Sequence, residues 1–204
     1  MTGEHHPDSI AQEALDRLKQ GNERFVGGTA RFPTVQKEVL AELAKGQHPF
    51  ATILGCSDSR VPPELLFDAG FGELFVVRVA GNVLGSEIQG TLQYAGMHLR
   101  TPLFVVLGHE GCGAVEAAIA ERFHGACHAS RISLLLEHIA PALDEVDPTL
   151  APAALLSAAV EANVRRTVRD LLESPEGRAR APEGDMKLVG AVYDLATGRV
   201  RFLD

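Results

Sequence analysis

Three short, largely apolar runs constrain this chain most: Phe50-Ala-Thr-Ile-Leu54, Leu74-Phe-Val-Val77 and Pro102-Leu-Phe-Val-Val-Leu107. Their lack of strict apolar/polar alternation marks strands buried on both faces, which is the signature of a parallel sheet. Parallel neighbours need crossover connections, usually helical. The intervening segments supply them, with helical patterns at Pro63 to Phe67, Glu87 to Leu99 and Ala114 to Phe123. The chain therefore reads as α/β, a mostly parallel sheet flanked by helices.

The rest of the chain fits around that core. Asp8 is placed to cap a first helix, with Ile10, Ala14, Leu15 and Leu18 at helical spacing, and Gly21 and Gly27-Gly28 punctuate its end. A second helix follows Pro33-Thr34, carries Val35, Val39, Leu40 and Leu43 on one face, and is closed by Gly46. Residues 1–46 thus form an N-terminal helical arm and 47–204 the α/β core, within one domain spanning 1–204, a length suited to a single domain. Downstream, Ala129 to Val146 and Pro152 to Leu172 read as helical, with Pro148 and Pro152 at the break. Ser174 to Asp185 reads as a surface loop. Lys187 to Tyr193 and Arg199 to Leu203, joined by a turn at Ala196-Thr-Gly198, read as a hairpin-like pair extending the sheet edge.

Charge and composition exclude several classes of function. The chain has 27 acidic and 19 basic residues, for a net charge of −8. That lacks the basic footprint of a nucleic-acid binder. No basic amphipathic stretch points to a membrane surface. No apolar run approaches the roughly 20 residues needed to span a bilayer. The polar start from Met1 to Pro7 shows no signal-peptide core, so a cytoplasmic protein is expected. The three cysteines, Cys56, Cys112 and Cys127, are too few and odd in number for a disulfide framework.

Chemistry concentrates in Gly55-Cys56-Ser57-Asp58-Ser59-Arg60 and Gly108-His109-Glu110-Gly111-Cys112-Gly113. Each follows a predicted parallel strand, and ligands of open α/β sheets bind beyond the carboxyl ends of their strands. Cys56, His109 and Cys112 can therefore converge. Two thiolates and an imidazole suit zinc, and three protein ligands leave the fourth tetrahedral position open, as in a catalytic rather than a structural site. Asp58 is placed to reach a metal-bound water or the metal itself, and the planar fork of Arg60 is suited to hold that carboxylate back. Two thiolates offset the charge of zinc, so activity favoured by alkaline pH is expected.

The run Cys56-Ser-Asp-Ser-Arg-Val-Pro-Pro-Glu64, then Phe75-Val-Val-Arg-Val-Ala-Gly-Asn82, then Val106-Leu-Gly-His-Glu-Gly-Cys-Gly-Ala-Val115 resembles the β-class carbonic anhydrases, from about Ile10 to the end of the chain. The resemblance implies one zinc per chain on Cys56, His109 and Cys112, with Asp58 and Arg60 as a catalytic dyad. It implies reversible hydration of carbon dioxide to bicarbonate by zinc-bound hydroxide. It also implies that Gln47, Phe75, Tyr94 and Gly113 contact substrate. The family unit is a dimer, so a homodimer or dimer of dimers is expected, with Gln47, Phe75 and Tyr94 reaching across the interface and the N-terminal helices gripping the partner. The Trp used by a bicarbonate-triggered inactive state in some bacterial members is absent; Ile53 stands in that region.

Three rival readings remain at this level. Relatives of the same fold hydrolyse carbon disulfide or carbonyl sulfide. A non-catalytic zinc module would bind a regulatory partner or sense redox state. A cysteine hydrolase would use Cys56 with His109 and no metal. Taken singly, the cysteines would more often be small buried hydrophobes, and Asp58 with Arg60 a surface ion pair. Cys127 reads as structural, and Glu110 as a hydrogen-bonding or ion-pairing residue between ligands.

Overall fold

The structure is a computed structural model and describes residues 7–31, 37–180 and 186–203. Its sheet has the order β2-β1-β3-β4-β5. Strands β1 (Ala51–Gly55), β2 (Leu74–Arg78), β3 (Leu103–His109) and β4 (Lys187–Tyr193) pair in parallel, and β5 (Val200–Leu203) closes the far edge antiparallel to β4. The parallel sheet, flanking helices and N-terminal helix expected from the sequence are all present.

Burial on both faces explains the unbroken apolar runs of β1 and β3, whereas β2, at the sheet edge, buries only Val77. Successive strand residues point to opposite faces. Ile53, Val105, Leu107 and Val189 share one core with Ala14, Leu15 and Leu18 of α1 (Pro7–Val26) and Leu66 of α3 (Pro63–Leu66). Leu54, Phe104 and Val106 share the other with Val115 and Ile119 of α5 (Gly113–His124) and Val160 and Val164 of α8 (Pro152–Leu172). Between α1 and α3 lies α2 (Lys37–Leu43), which buries none of its residues. From β1 the chain crosses to β2 on one side and then returns to β3 on the other. The carboxyl ends of β1 and β3 therefore flank a topological switch point, the ligand-binding crevice of such sheets.

Several boundaries differ from expectation for identifiable reasons. Helix α1 continues through Gly21, because that glycine serves close packing: a Cβ there would lie 1.9 Å from the carbonyl oxygen of Phe67. The helix expected over 87–99 is α4 (Ser86–Tyr94) followed by a π-helical turn, Ala95–Leu99, stopped by Arg100 in the left-handed region at φ 52°. The stretch 129–146 divides into α6 (Ser130–Leu136) and α7 (Ala140–Leu143), with Pro141 seated in the first turn of the second. The expected loop after Ser174 contains α9 (Pro175–Arg180). Strand β3 extends two residues further than expected and includes Gly108 and His109. Pro33-Thr34, and the loop after α9 over 181–185, lie outside the described residues.

Candidate metal centre

Backbone geometry brings the ligand candidates together. Gly55, the last residue of β1, sits in register with Leu107 of β3. Cys56 therefore leaves β1 beside the strand end that carries His109. A turn at Gly111, with φ 65°, then brings the chain to Cys112, immediately before α5. The two sulfurs and a ring nitrogen of His109 all lie within 4.8 Å of one another, and all three residues are buried. This is the single group of metal-ligating side chains found among the described residues.

The donor set fits zinc. Nδ1 of His109 lies 3.0 Å from the carbonyl oxygen of Glu110. A carbonyl only accepts, so Nδ1 carries the proton and Nε2 presents its lone pair. Nε2 is buried and has no hydrogen-bond partner. A buried, unpartnered acceptor facing two thiols is costly unless a cation completes it. Such outer hydrogen bonds are the usual means of orienting a metal-binding imidazole.

The two sulfurs differ in acidity. The Cys56 thiol is drawn down to about 4, first by its hydrogen bond with Cys112 and then, against opposing burial, by His109 and the backbone N–H groups of Asp58 and Gly81. Cys112 is pushed up by the same sulfur–sulfur contact and by burial, while the N–H groups of Val115 and Ala114 in the first turn of α5 act the other way. The contact between the sulfurs thus favours the thiolate at Cys56 and the thiol at Cys112. A divalent ion would displace the remaining proton.

Beside this cluster, Arg60 donates to Asp58 through Nε at 2.9 Å and through Nη2 at 2.7 Å, one bond to each carboxylate oxygen. The backbone N–H of Arg60 adds a third bond to Asp58 at 2.9 Å. Arg60 holds the Asp58 carboxyl well below the usual carboxylate range. Oδ2 of Asp58 remains 3.9 Å from Nε2 of His109. The loop is anchored from β2 by Arg78, which donates to the carbonyl oxygens of Cys56 at 2.9 Å and Asp58 at 2.6 Å.

None of the other sequence candidates belongs to the clustered ligand set, although Gly113 directly follows Cys112. Gln47 is exposed and precedes β1 at the end opposite Cys56. Phe75 is in register with Thr52, four residues before Cys56 and so about 13 Å back along the strand. Its ring lies 6.3 Å from that of Tyr94, which in turn lies 5.0 Å from His98. Gly113 opens α5, is exposed, and has open space where a Cβ would project. Cys127 is exposed rather than packed in a core. Glu110 does accept a hydrogen bond, from Ser157 at 3.0 Å.

Asn163, which no sequence motif marks, stands behind the cluster and donates to the carbonyl oxygen of Gly81. It is the buried amide in the apolar stripe of α8 that includes Leu155, Ala159, Val160, Val164 and Leu171. A polar residue at a core position of an amphipathic helix is the signal that could have found it.

The structure thus places a buried Cys–His–Cys cluster that could hold a metal ion at the switch point of a mostly parallel α/β sheet. The chain belongs to the β-class carbonic anhydrase family and is an enzyme of that family. The family model described as carbonic anhydrase matches residues 51–200. Carbonic anhydrase 2 of Mycobacterium tuberculosis H37Rv is 39% identical over 207 residues, covering 97% of this chain and 95% of the relative. The carbonic anhydrase of Mycolicibacterium smegmatis is 38% identical and covers 95% of this chain and 94% of its own length. Among solved structures, the β-carbonic anhydrase CcaA superposes with a TM-score of 0.77 at 26% identity, covering 94% of this chain and 88% of that one.

Proposed function

We propose that the protein catalyses the reversible hydration of carbon dioxide to bicarbonate and a proton, with one zinc ion per chain held by Cys56, His109 and Cys112. The observation that carries this reading is the buried cluster in which the unpartnered Nε2 of His109 lies within 4.8 Å of both sulfurs. When bound there, zinc would supply a Lewis acid that makes water nucleophilic near neutral pH. Asp58, kept ionised by Arg60, is the acceptor available to orient the attacking water, and the fork of Arg60 keeps the carboxylate off the metal. Gly113 presents the start of α5 to the same space.

Substrate contacts by Gln47, Phe75 and Tyr94 require a second copy of the chain. Gln47 precedes β1 at the end opposite Cys56, and Phe75, against which the Tyr94 ring rests, is in register with Thr52, four residues before Cys56. A homodimer, or a dimer of dimers, is the assembly we propose. The edge strand β2 offers an unpaired side for it, with Phe71, Tyr94 and Met97 exposed by 65%, 48% and 58%. Helix α2, with Val39 and Leu40 exposed, is the part of the N-terminal arm available to grip the partner. Three free cysteines suit a reducing compartment, and we assign the protein to the cytoplasm. No helix among the described residues is long and apolar enough to cross a membrane.

Cys56→Ala, His109→Ala and Cys112→Ala test the assignment directly. Each should lose both zinc and carbon dioxide hydration. A variant that kept full zinc and full turnover would remove that residue from the site.

A further inference from the structure

Helix α8 reaches the metal site through a chain of three buried groups. Nδ2 of Asn163 donates to the carbonyl oxygen of Gly81 at 2.9 Å, and both residues are buried. Gly81 in turn donates its N–H to Sγ of Cys56 at 3.4 Å. Gly81 occupies the left-handed region, at φ 67° and ψ 19°, in a short 3-10 turn, Ala80–Asn82. It is wedged against α5 and the segment between α6 and α7: a Cβ there would lie 2.8 Å from Cδ1 of Ile139 and 3.1 Å from Cβ of Ala114. The two backbone groups of Gly81 are related only by its own φ and ψ. With φ and ψ restricted by this packing, a hold on the carbonyl also holds the direction of the N–H.

We infer that Asn163 is a positioning residue for the zinc site, aiming the Gly81 N–H at the Cys56 thiolate through its hold on the Gly81 carbonyl. The inference rests on the reading of Cys56 as a zinc ligand. Three features support it. The amide sits in a buried, mostly apolar helix face, where an unpaired polar group would be costly and a leucine would pack. Its partner is the carbonyl of the residue that touches the ligand sulfur. A left-handed glycine has alternative backbone wells of similar energy, so an external tether is needed to select one. Hydrogen bonds to ligating atoms orient them and tune their donor strength, and their loss typically weakens metal binding about 10–100-fold.

The test uses Asn163→Leu, which keeps the branched shape and the number of heavy atoms and removes the donor. Thr167→Val serves as a control, altering another buried polar residue on the same helix face. Zinc dissociation constants from chelator competition, the sulfur-to-cobalt charge-transfer band of cobalt-substituted protein and the unfolding of zinc-free protein are measured for each. We expect Asn163→Leu to bind zinc about 10–100-fold more weakly and to shift the cobalt band, with Thr167→Val close to wild type. If zinc-free Asn163→Leu does not unfold cooperatively, Asn163→Thr is read in its place by the same criteria. Affinity and cobalt spectrum within about twofold of wild type, or an equal loss in Thr167→Val, would overturn the inference while leaving the zinc site itself intact. Wild-type protein that took up no zinc would instead overturn the metal-centre reading, and this inference with it.

Discussion

Asp58 gives one carboxylate oxygen to each of two guanidinium nitrogens of Arg60, and still holds Oδ2 only 3.9 Å from Nε2 of His109. The carboxylate thus stands at the edge of the proposed metal site, committed to an arginine. Removing either partner should have distinct consequences. Asp58→Ala should keep zinc and lower turnover by roughly 100-fold or more, the range associated with a positioned acid–base group. Arg60→Ala should also keep zinc and lose turnover, because the released carboxylate can then compete for the metal. Zinc content and steady-state hydration rates decide both, and an unchanged rate in Asp58→Ala would remove its role.

The separation of Gln47 and Phe75 from the metal site of their own chain makes a shared site testable by complementation. Gln47→Ala and Asp58→Ala should each be impaired alone. Co-expressed, they should recover up to roughly a quarter of wild-type activity, since half of randomly paired dimers would carry one intact site of two. Sedimentation should show a dimer or larger. A mixture no more active than its components would place Gln47 outside the shared site.

Two glycine substitutions should move stability in opposite directions. Gly21→Ala forces a Cβ to 1.9 Å from the backbone of Phe67, which cannot yield as a side-chain tip can. It should cost about 1–3 kcal/mol by chemical denaturation. Gly90, exposed inside α4, has open space for a Cβ. Gly90→Ala should stabilise the protein by about 0.5–1 kcal/mol. A neutral Gly21→Ala would show that α1 and the Phe67 carbonyl separate more easily than the packing implies.

The ion pair joining β5 to α8 sets a pH dependence of stability. Glu161 is lowered from the ordinary value of 4.5, first by its bond with Arg201 and, after the opposing effect of burial, by Arg165. A carboxyl with a depressed folded-state pKa stabilises fully above its unfolded pKa, and that contribution is lost as pH falls through the folded value. Glu161→Gln should therefore cost about 0.2–1 kcal/mol at neutral pH, the range for partly exposed pairs. The cost should vanish as acid protonates the wild-type carboxyl. Denaturant melts at neutral pH and well below pH 4.5 test this; an equal difference at both would show that the charge is not responsible.

The strands and the convergence of Cys56, His109 and Cys112 are readable from the sequence because each rests on local patterns. Buried parallel strands write unbroken apolar runs, and the switch point lies where two such runs end in Gly55-Cys56 and Gly108-His109. What escaped depends on neighbours distant in sequence. Gly21 reads as a helix terminator until Phe67 is seen against it. Asn163 lies 82 positions from the carbonyl it holds. Gln47, Phe75 and Tyr94 were singled out only by family resemblance, since nothing in their own spacing points to a site at the far end of the strands.

The most direct measurement is a zinc titration of metal-free protein, with carbon dioxide hydration followed by stopped flow at alkaline pH. The account predicts turnover that rises in proportion to added zinc, saturates at one equivalent per chain and is abolished by chelation. Full turnover in metal-free protein, or a saturated Cys56–His109–Cys112 site with no hydration, would contradict it.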